Sequence, residues 1–441
     1  MRRGVFSDRE GGRGMTSRFF ENIGETLYTQ TLSNGLTVLA LPQPGFIRSF
    51  AMFAANYGGA MRRFTLGNQV IDTPAGVAHF LEHKMFDMPN GENALSLLSA
   101  SGASPNAWTS SGMTAYHFSS TSKFEENLRT LLTFVSTPYF TPESVAKEQG
   151  IIGQEIRMTE DSPYFAVYVG LMRCLYAHNP IRDSVIGTVE SIARISDKTL
   201  YDCHRAFYAP SNMTLCVAGG PDPDGIAAIA GEILPAEKLP VPEPDFGPPE
   251  SPIPLSPGTE KAMAVSAPQF MLGAKLTPAE NGEPLHRQEL VGALALRCLM
   301  GRSSPFYTGL YADGLLSNDF SADVDYAAGT AAIIAGGESA EPGRVRDRLA
   351  ADVERVVKSG LDEAAFGRAR KAAYGSRLRG LESFEDLCFN LARGHFGGYC
   401  PLDAFSLLSD ISADECAAYI AENLAPERIA LSVITPANMK G

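Results

Sequence analysis

Apolar positions recur along the chain with two periods. One is the alternation of a half-buried strand, the other the three-to-four spacing of a helix face. Tyr28 to Leu41 alternates around Ser33-Asn34-Gly35 and reads as two strands joined by a tight turn. Ser49 to Gly58 supplies another strand, and a loop from Ala60 to Pro74 leads to a helix from Ala75 to about Met88. A second helix is expected at about Glu92 to Ser101. A strand pair then runs from Gly102 to Ser119 about a Ser110-Ser111-Gly112 turn. Phe124, Leu128, Leu131, Leu132 and Val135 make Lys123 to Ser136 helical. Thr141-Pro142-Glu143 gives an N-cap followed by proline at the first helical position, opening a helix to about Thr159. Helices at about Pro163 to Tyr176 and Ser196 to Phe207, a strand at Met213 to Ala218 and a helix after Pro221 complete this part. The order is α+β and not strict βαβ alternation.

Glu237 to Gly258 contains eight prolines among acidic residues and glycines and reads as an extended linker, taken as residues 237–262. It divides the chain into halves, 19–236 and 263–441. The second half repeats the order of the first: strands over Met263 to Leu276, a helix from Arg287 to Leu299, a strand pair from Ser317 to Gly336 and a helix from Arg344 to Lys358. The clearest match sets Gly360 to Arg370 against Tyr139 to Gln149. The expectation is two duplicated α+β halves, each a sheet packed with helices.

Composition narrows the function. The charged and apolar fractions are those of a globular protein, and 441 residues exceed one ordinary core. A net charge of -13 disfavours nucleic acid and anionic membrane as partners. No apolar run could span a bilayer; Leu290 to Met300 is short and interrupted by Arg297. The seven cysteines are scattered without C-x-x-C spacing and read as reduced core residues, which points to the cytoplasm. Residues 1–18 are rich in Arg and Gly, lack the apolar core of a secretory signal, and read as a disordered extension with Met15 as a candidate start.

The candidate chemistry lies in Gly76-Val77-Ala78-His79-Phe80-Leu81-Glu82-His83, an H-x-x-E-H pattern. Positions i and i+4 share a helix face with i+3 beside them. His79 and His83 can therefore present two imidazole nitrogens to one zinc ion, with the Glu82 carboxylate adjacent. A catalytic zinc takes three protein ligands, so one more must come from elsewhere. The plain alternative is two histidines one turn apart with no metal. A chance match in a chain with seven histidines is expected far less than once.

The helix opened by Glu143 carries Glu148 and Glu155 on one face, two turns apart. Either could be an ordinary surface carboxylate. The residues around Glu155 (Ile151, Ile152, Ile156) are apolar, and a carboxylate there needs a cation or hydrogen bonds. In the second half the self-match puts Ala369 and Ser376 at these positions and leaves Leu290 to Cys298 without histidine. Only one half carries the metal-binding pattern.

These residues give the chain its resemblance to the pitrilysin/insulinase family of zinc peptidases. The resemblance rests on H-x-x-E-H, Pro105-Asn106-Ala107-Trp108-Thr109 with Thr114-Ala115-Tyr116, Lys147 to Ile156, Gly187-Thr188-Val189-Glu190-Ser191-Ile192 and Pro210 to Met213. Seventy-one residues lie between His83 and Glu155, as the family spacing requires. The chain is most similar to short bacterial members, some with names linked to modification of elongation factor P. The resemblance implies a clamshell of two halves over an extended peptide. It implies zinc on His79, His83 and Glu155, with Glu82 activating water and Glu148 supporting the site. The segment at Asn106-Ala107 would be an edge strand that pairs with substrate.

The chain departs from the family where active members carry an Arg/Tyr pair in the second half. Here Tyr311 stands near the expected Arg and Ser317 or Asn318 near the expected Tyr. In two-subunit members a zinc-less partner supplies that pair; a heterodimer with such a paralogous subunit would explain this sequence, the alternative being a variant, self-sufficient site. The alternatives are a non-catalytic binding or assembly subunit on the same scaffold and a metal hydrolase with a non-peptide substrate. Trp108 is expected as a core residue, His117 on its strand is not expected as a ligand, and His178, His204, His286 and His395 carry no role.

Overall fold

The structure is a computed structural model and describes residues 14–437. The first half contributes β1 (Thr16–Phe20), β2 (Glu25–Thr31), β3 (Thr37–Pro42), β4 (Ser49–Ala55), a small hairpin of β5 (Arg63–Leu66) and β6 (Gln69–Asp72), then β7 (Ser104–Thr109), β8 (Thr114–Ser120) and β9 (Met213–Gly219). β10 (Glu243–Pro244) follows, and the second half adds β11 (Gly258–Met263), β12 (Gln269–Leu276), β13 (Ser321–Ala327), β14 (Thr330–Glu338) and β15 (Ala430–Pro436). The larger sheet has the order β1-β2-β3-β9-β4-β8-β7. Its central strands β4 and β9 are buried at every residue, which explains their unbroken apolar runs.

The second sheet has the order β11-β15-β12-β14-β13. Set against β3-β9-β4-β8-β7, it repeats the order and the directions. The first pair of each is parallel and the rest antiparallel. The fold is α+β with one five-strand scheme built twice, as the sequence self-match anticipated. The helices Pro142–Glu160 and Glu363–Gly380 begin at equivalent positions of that match.

The compact units do not coincide with the sequence halves. One consists of residues up to Gly153, Val185–Asp245 and Arg377–Leu402; the other of Gln154–Ser184, Phe246–Ser376 and Asp403 onward. The helix Pro163–Leu175, from the first half, packs on β12 and β15, burying Val167, Leu171 and Leu175 there. Gly170 and Gly273 permit this: a Cβ on Gly170 would stand 2.6 Å from Ser432 Oγ, and one on Gly273 2.8 Å from Leu171. The helix Phe384–Phe396, from the second half, packs reciprocally on β4 and β9. Hydropathy gives each helix an apolar face without saying which sheet covers it. The division falls inside the continuous helix Pro142–Glu160.

Three local expectations change. Residues 1–13 of the expected N-terminal extension lie outside the described residues, but Thr16 to Arg18 belong to β1, which pairs with β2 from Thr16↔Thr29 to Phe20↔Glu25 and buries Phe20. The helix of the H-x-x-E-H motif is shorter than 75–88, spanning Val77–Lys84, since Pro89 lies ahead and the following turn takes over. The proline-rich stretch 237–262 is bound along its length. Glu243 and Pro244 pair with β5, and β11 joins the second sheet. All seven cysteines are free, and no helix of the described residues is long and apolar enough to cross a membrane.

Glu250 fastens that stretch within the second unit. Its carboxylate accepts the N–H groups of Ala177, His178 and Asn179 at 2.6–3.0 Å, and Lys275 Nζ lies 3.5 Å away. Burial alone would raise its pKa, but the three backbone donors and Lys275 prevail and hold it down to about 2. A carboxyl depressed in the folded state stabilises above its unfolded pKa, near 4.3, and loses that contribution as pH falls toward 2. Glu250→Gln should therefore cost about 1 kcal/mol at pH 7, since solvent screens part of the interaction and the amide oxygen still accepts. Urea unfolding at stepped pH should show the gap between variant and parent shrinking from pH 5 to pH 3. A gap that is constant across that range would count against the latch.

Candidate metal centre

Two backbone contacts set the start of the motif helix. Gly76, its N-cap, has φ +92°, and a Cβ there would stand 2.6 Å from Ile186 O. Gly187 has φ +76°, and a Cβ on it would stand 2.6 Å from Ala75 O. Each glycine thus lets its backbone touch the other's neighbour, a close approach only glycine allows. Ser191 Oγ then donates to Ala75 O at 2.8 Å, while Thr188 and Ser191 close a capping box over the short helix Val189–Ile192. The same segment reaches the glutamate helix: Gln149 Nε2 donates to Ile192 O at 3.3 Å and Ile195 O at 3.1 Å. Residues 186–195 therefore brace both helices that carry the candidate ligands.

On the motif helix His79 and Glu82 are buried and His83 is partly exposed, with the two imidazole centroids 4.6 Å apart. The glutamate helix starts as its sequence implies, with Ser144 N–H donating to Thr141 Oγ1 at 3.1 Å. It buries Val145, Ile152 and Ile156, and the same face carries Glu148 and Glu155. Glu148 Oε1 lies 3.1 Å from His83 Nδ1. With a carboxylate as neighbour the ring proton belongs on Nδ1, which donates and leaves the Nε2 lone pair for a metal. Donor atoms of His79, His83 and Glu155 all lie within 4.8 Å of one another. Ligands of one tetrahedral zinc sit roughly 3.3 Å apart, so small side-chain rotations bring the three together. Two imidazoles and one carboxylate are a donor set that such an ion accepts. The set fits.

Glu82 has a different partner: Thr109 Oγ1, at the end of β7, donates to its Oε2 at 2.7 Å. β7 is the outer strand of its sheet, in register Asn106↔His117 and Ala107↔Tyr116 with β8. Asn106 Oδ1 accepts the N–H of Ala107 at 2.9 Å. Trp108 is half-buried against Phe389, their ring centroids 5.6 Å apart. His117 is buried, and that burial lowers its pKa against the opposing pull of Glu385 at 3.9 Å. His204 Nε2 donates to Val135 O at 2.9 Å, and burial lowers its pKa to about 4. Neither histidine joins the donor set. In the second unit Tyr311 is exposed and stacked on Tyr307, while Ser317 and Asn318 lie in the next turn. Arg302, which the sequence reading passed over, donates to Asn318 O at 2.8 Å.

Comparison with known proteins accords with this geometry. Residues 71–189 match the model of Insulinase (Peptidase family M16), and residues 194–373 match that of the Peptidase M16 inactive domain. The uncharacterised zinc protease YmfH of Bacillus subtilis (strain 168) is 37% identical over 428 residues, 95% of this chain and 98% of its own. A crystal structure described as an M16-like peptidase from Alicyclobacillus acidocaldarius superposes with a TM-score of 0.90 at 34% identity, covering 94% of this chain and 99% of that one. Pitrilysin shares the fold at 15% identity and a TM-score of 0.75, over 96% of this chain and 47% of its own. The chain belongs to peptidase family M16, the insulinase family.

Nothing local in Gly187 to Ile192 says that a glycine touches a carbonyl more than a hundred residues away, so the sequence alone does not reveal the brace. Its role is testable. Gly187→Ala should lower metal affinity about tenfold or more by pushing the Ala75 carbonyl and the start of the motif helix. Gly150→Ala, in open space on the glutamate helix, should leave it unchanged. Chelator competition reads both, and equal affinities in the two variants would show that the brace does not hold the ligands.

Proposed function

We propose that the chain is a zinc-dependent peptidase that hydrolyses peptide bonds of unfolded peptides or oligopeptides, with Glu82 as general base. The observation that carries this reading is the convergence of His79, His83 and Glu155, with a non-ligand carboxylate, Glu82, one turn along the same helix. YmfH, so similar along its whole length, is named a zinc protease, which favours zinc among the metals the donor set accepts. When bound, zinc supplies Lewis acidity and brings the pKa of a water it holds to about 7. Glu82 takes the water proton on the oxygen not occupied by Thr109 and passes it to the leaving amine. Glu148 keeps His83 oriented through Nδ1. The outer strand β7 offers its backbone at Asn106 and Ala107 to an extended substrate, giving affinity with little side-chain selectivity. A binding or assembly role would need none of these five charged or imidazole groups intact.

His79→Ala or His83→Ala should strip zinc on dialysis. Glu82→Gln should retain it and lose at least about a hundredfold in turnover. Zinc analysis beside peptide hydrolysis separates the two classes, and loss of metal from Glu82→Gln would mean that Glu82 is itself a ligand.

The chain's partner is a second part of the proposal: a paralogous subunit of the same fold, lacking H-x-x-E-H, that supplies an Arg/Tyr pair toward the substrate carbonyl. From Ser303 to Asn318 there is no arginine, and Arg302 is engaged with Asn318 O. A missing donor at a developing oxyanion costs about 3 kcal/mol, so the partner should raise turnover about a hundredfold. Full activity of the chain alone, abolished by Arg302→Ala, would replace the partner with Arg302 acting in cis.

A further inference from the structure

Behind Glu82 lies a set of hydroxyl groups that the reaction as described leaves unused. Thr109 ends β7 and is paired in register with Thr114, which begins β8. Thr114 is fully buried, donates to Tyr57 O at 2.9 Å and has its oxygen 3.3 Å from that of Thr109. The shorter contact of Thr109 is to Glu82 Oε2 at 2.7 Å, and an ionised carboxylate is the stronger acceptor, so the Thr109 proton goes to Glu82. Next along, Tyr208 bonds Thr114, and its hydroxyl meets that of Tyr116 at 2.8 Å. Burial first, then Tyr208 and Glu82, push the Tyr116 phenol well above its ordinary range, so this wall stays neutral. Among the described residues, Glu82 thus stands against a polar, uncharged surface with Thr109 as the donor aimed at one of its two oxygens. A side chain with three rotatable bonds needs such a donor to hold one orientation.

We propose that Thr109 is the positioning residue for Glu82: its hydroxyl fixes the carboxylate so that the second oxygen faces the water to be activated. The inference rests on the peptidase reading above. Because Thr109 closes the strand that would pair with substrate, the base and the bound peptide are referenced to one backbone. A shift of β7 then moves both together, and the distance between the base and the scissile bond is preserved. Thr109 touches neither substrate nor metal in this scheme, so its removal should cost turnover and spare binding.

Thr109→Val keeps the shape and removes the donor, while Thr109→Ser keeps the donor; Thr109→Ala stands in should the valine variant not fold. With zinc content matched, Thr109→Val should lower kcat about tenfold with KM within about twofold, and Thr109→Ser should stay near the parent. Crystal structures of the metal-free variants give a readout independent of activity. Glu82 should leave its rotamer in Thr109→Val and keep it in Thr109→Ser. A loss confined to KM, a serine variant as poor as valine, or an unmoved Glu82 in Thr109→Val would each overturn the assignment. If the zinc-loaded parent cleaves no peptide, the peptidase reading fails, and the crystal structures still decide whether Thr109 holds Glu82.

Discussion

The candidate metal centre depends on two reciprocal backbone contacts, the approach of Gly76 to Ile186 and of Gly187 to Ala75. A short helix such as Val77–Lys84 is marginal by itself, and its direction must be set from outside. The two glycines remove the side chains that would hold the strands of backbone apart, and Ser191 ties the contact with a hydrogen bond to Ala75 O. Gln149 carries the same restraint to the glutamate helix. Everything nearer the ligands is then ordinary helix geometry. His79 and His83 follow the N-cap by three and seven residues, and Glu155 follows Gln149 by six. Preorganisation of this kind matters because the ligands must converge to within tenths of an ångström, and side-chain rotamers alone leave several ways to miss.

The duplicated scaffold shows what the site requires beyond the fold. Both units build the same five-strand order, and both place a long helix beginning at the matched residues Pro142 and Glu363. The second copy has Ala369 and Ser376 where the first has Glu148 and Glu155, and Leu290 to Cys298 where the first has the histidines. The fold therefore does not need the carboxylates or imidazoles; they are retained where they act on each other. That pattern is an argument about chemistry and not about stability, since buried or half-buried charge would be lost readily from a scaffold that stands without it.

The parts visible in the sequence were those governed by short-range rules. The Ser33-Asn34-Gly35 turn appears with Asn34 Oδ1 accepting from Leu36 N and Gly35 at φ +90°. Thr141 caps its helix, and the i, i+3, i+4 spacing of the motif delivers His79, Glu82 and His83 to one end of the sheet. What escaped was set by distant partners. β1 has only two alternations and a mixed face, so its strand state comes from pairing with β2. The proline-rich stretch reads as a linker because composition records the N–H groups that proline lacks and not the Glu250 carboxylate, which accepts the N–H groups of Ala177, His178 and Asn179. The reciprocal exchange of Pro163–Leu175 and Phe384–Phe396 is of the same kind: amphipathic helices do not name their sheet.

The two sheets also differ in how they protect their outer strands, and the difference follows from the proposed use. An unpaired strand edge is a template for association with any extended chain. In the second sheet β13 carries Asp323 and Asp325 with exposed side positions, a charged edge that discourages pairing. β7, the equivalent strand of the first sheet, has no charged residue from Ser104 to Thr109. It is protected by Pro105, which lacks an N–H, and by the uncharged Asn106, whose carboxamide occupies the N–H of Ala107 as the charged Asp323 occupies that of Val324 in β13. A carboxamide on its own strand is a weak and reversible cover. An incoming peptide carbonyl can take its place at little net cost, whereas two fixed aspartates would have to be neutralised. An edge that must refuse other sheets yet accept a peptide calls for a cover that exchanges, and Asn106 supplies one.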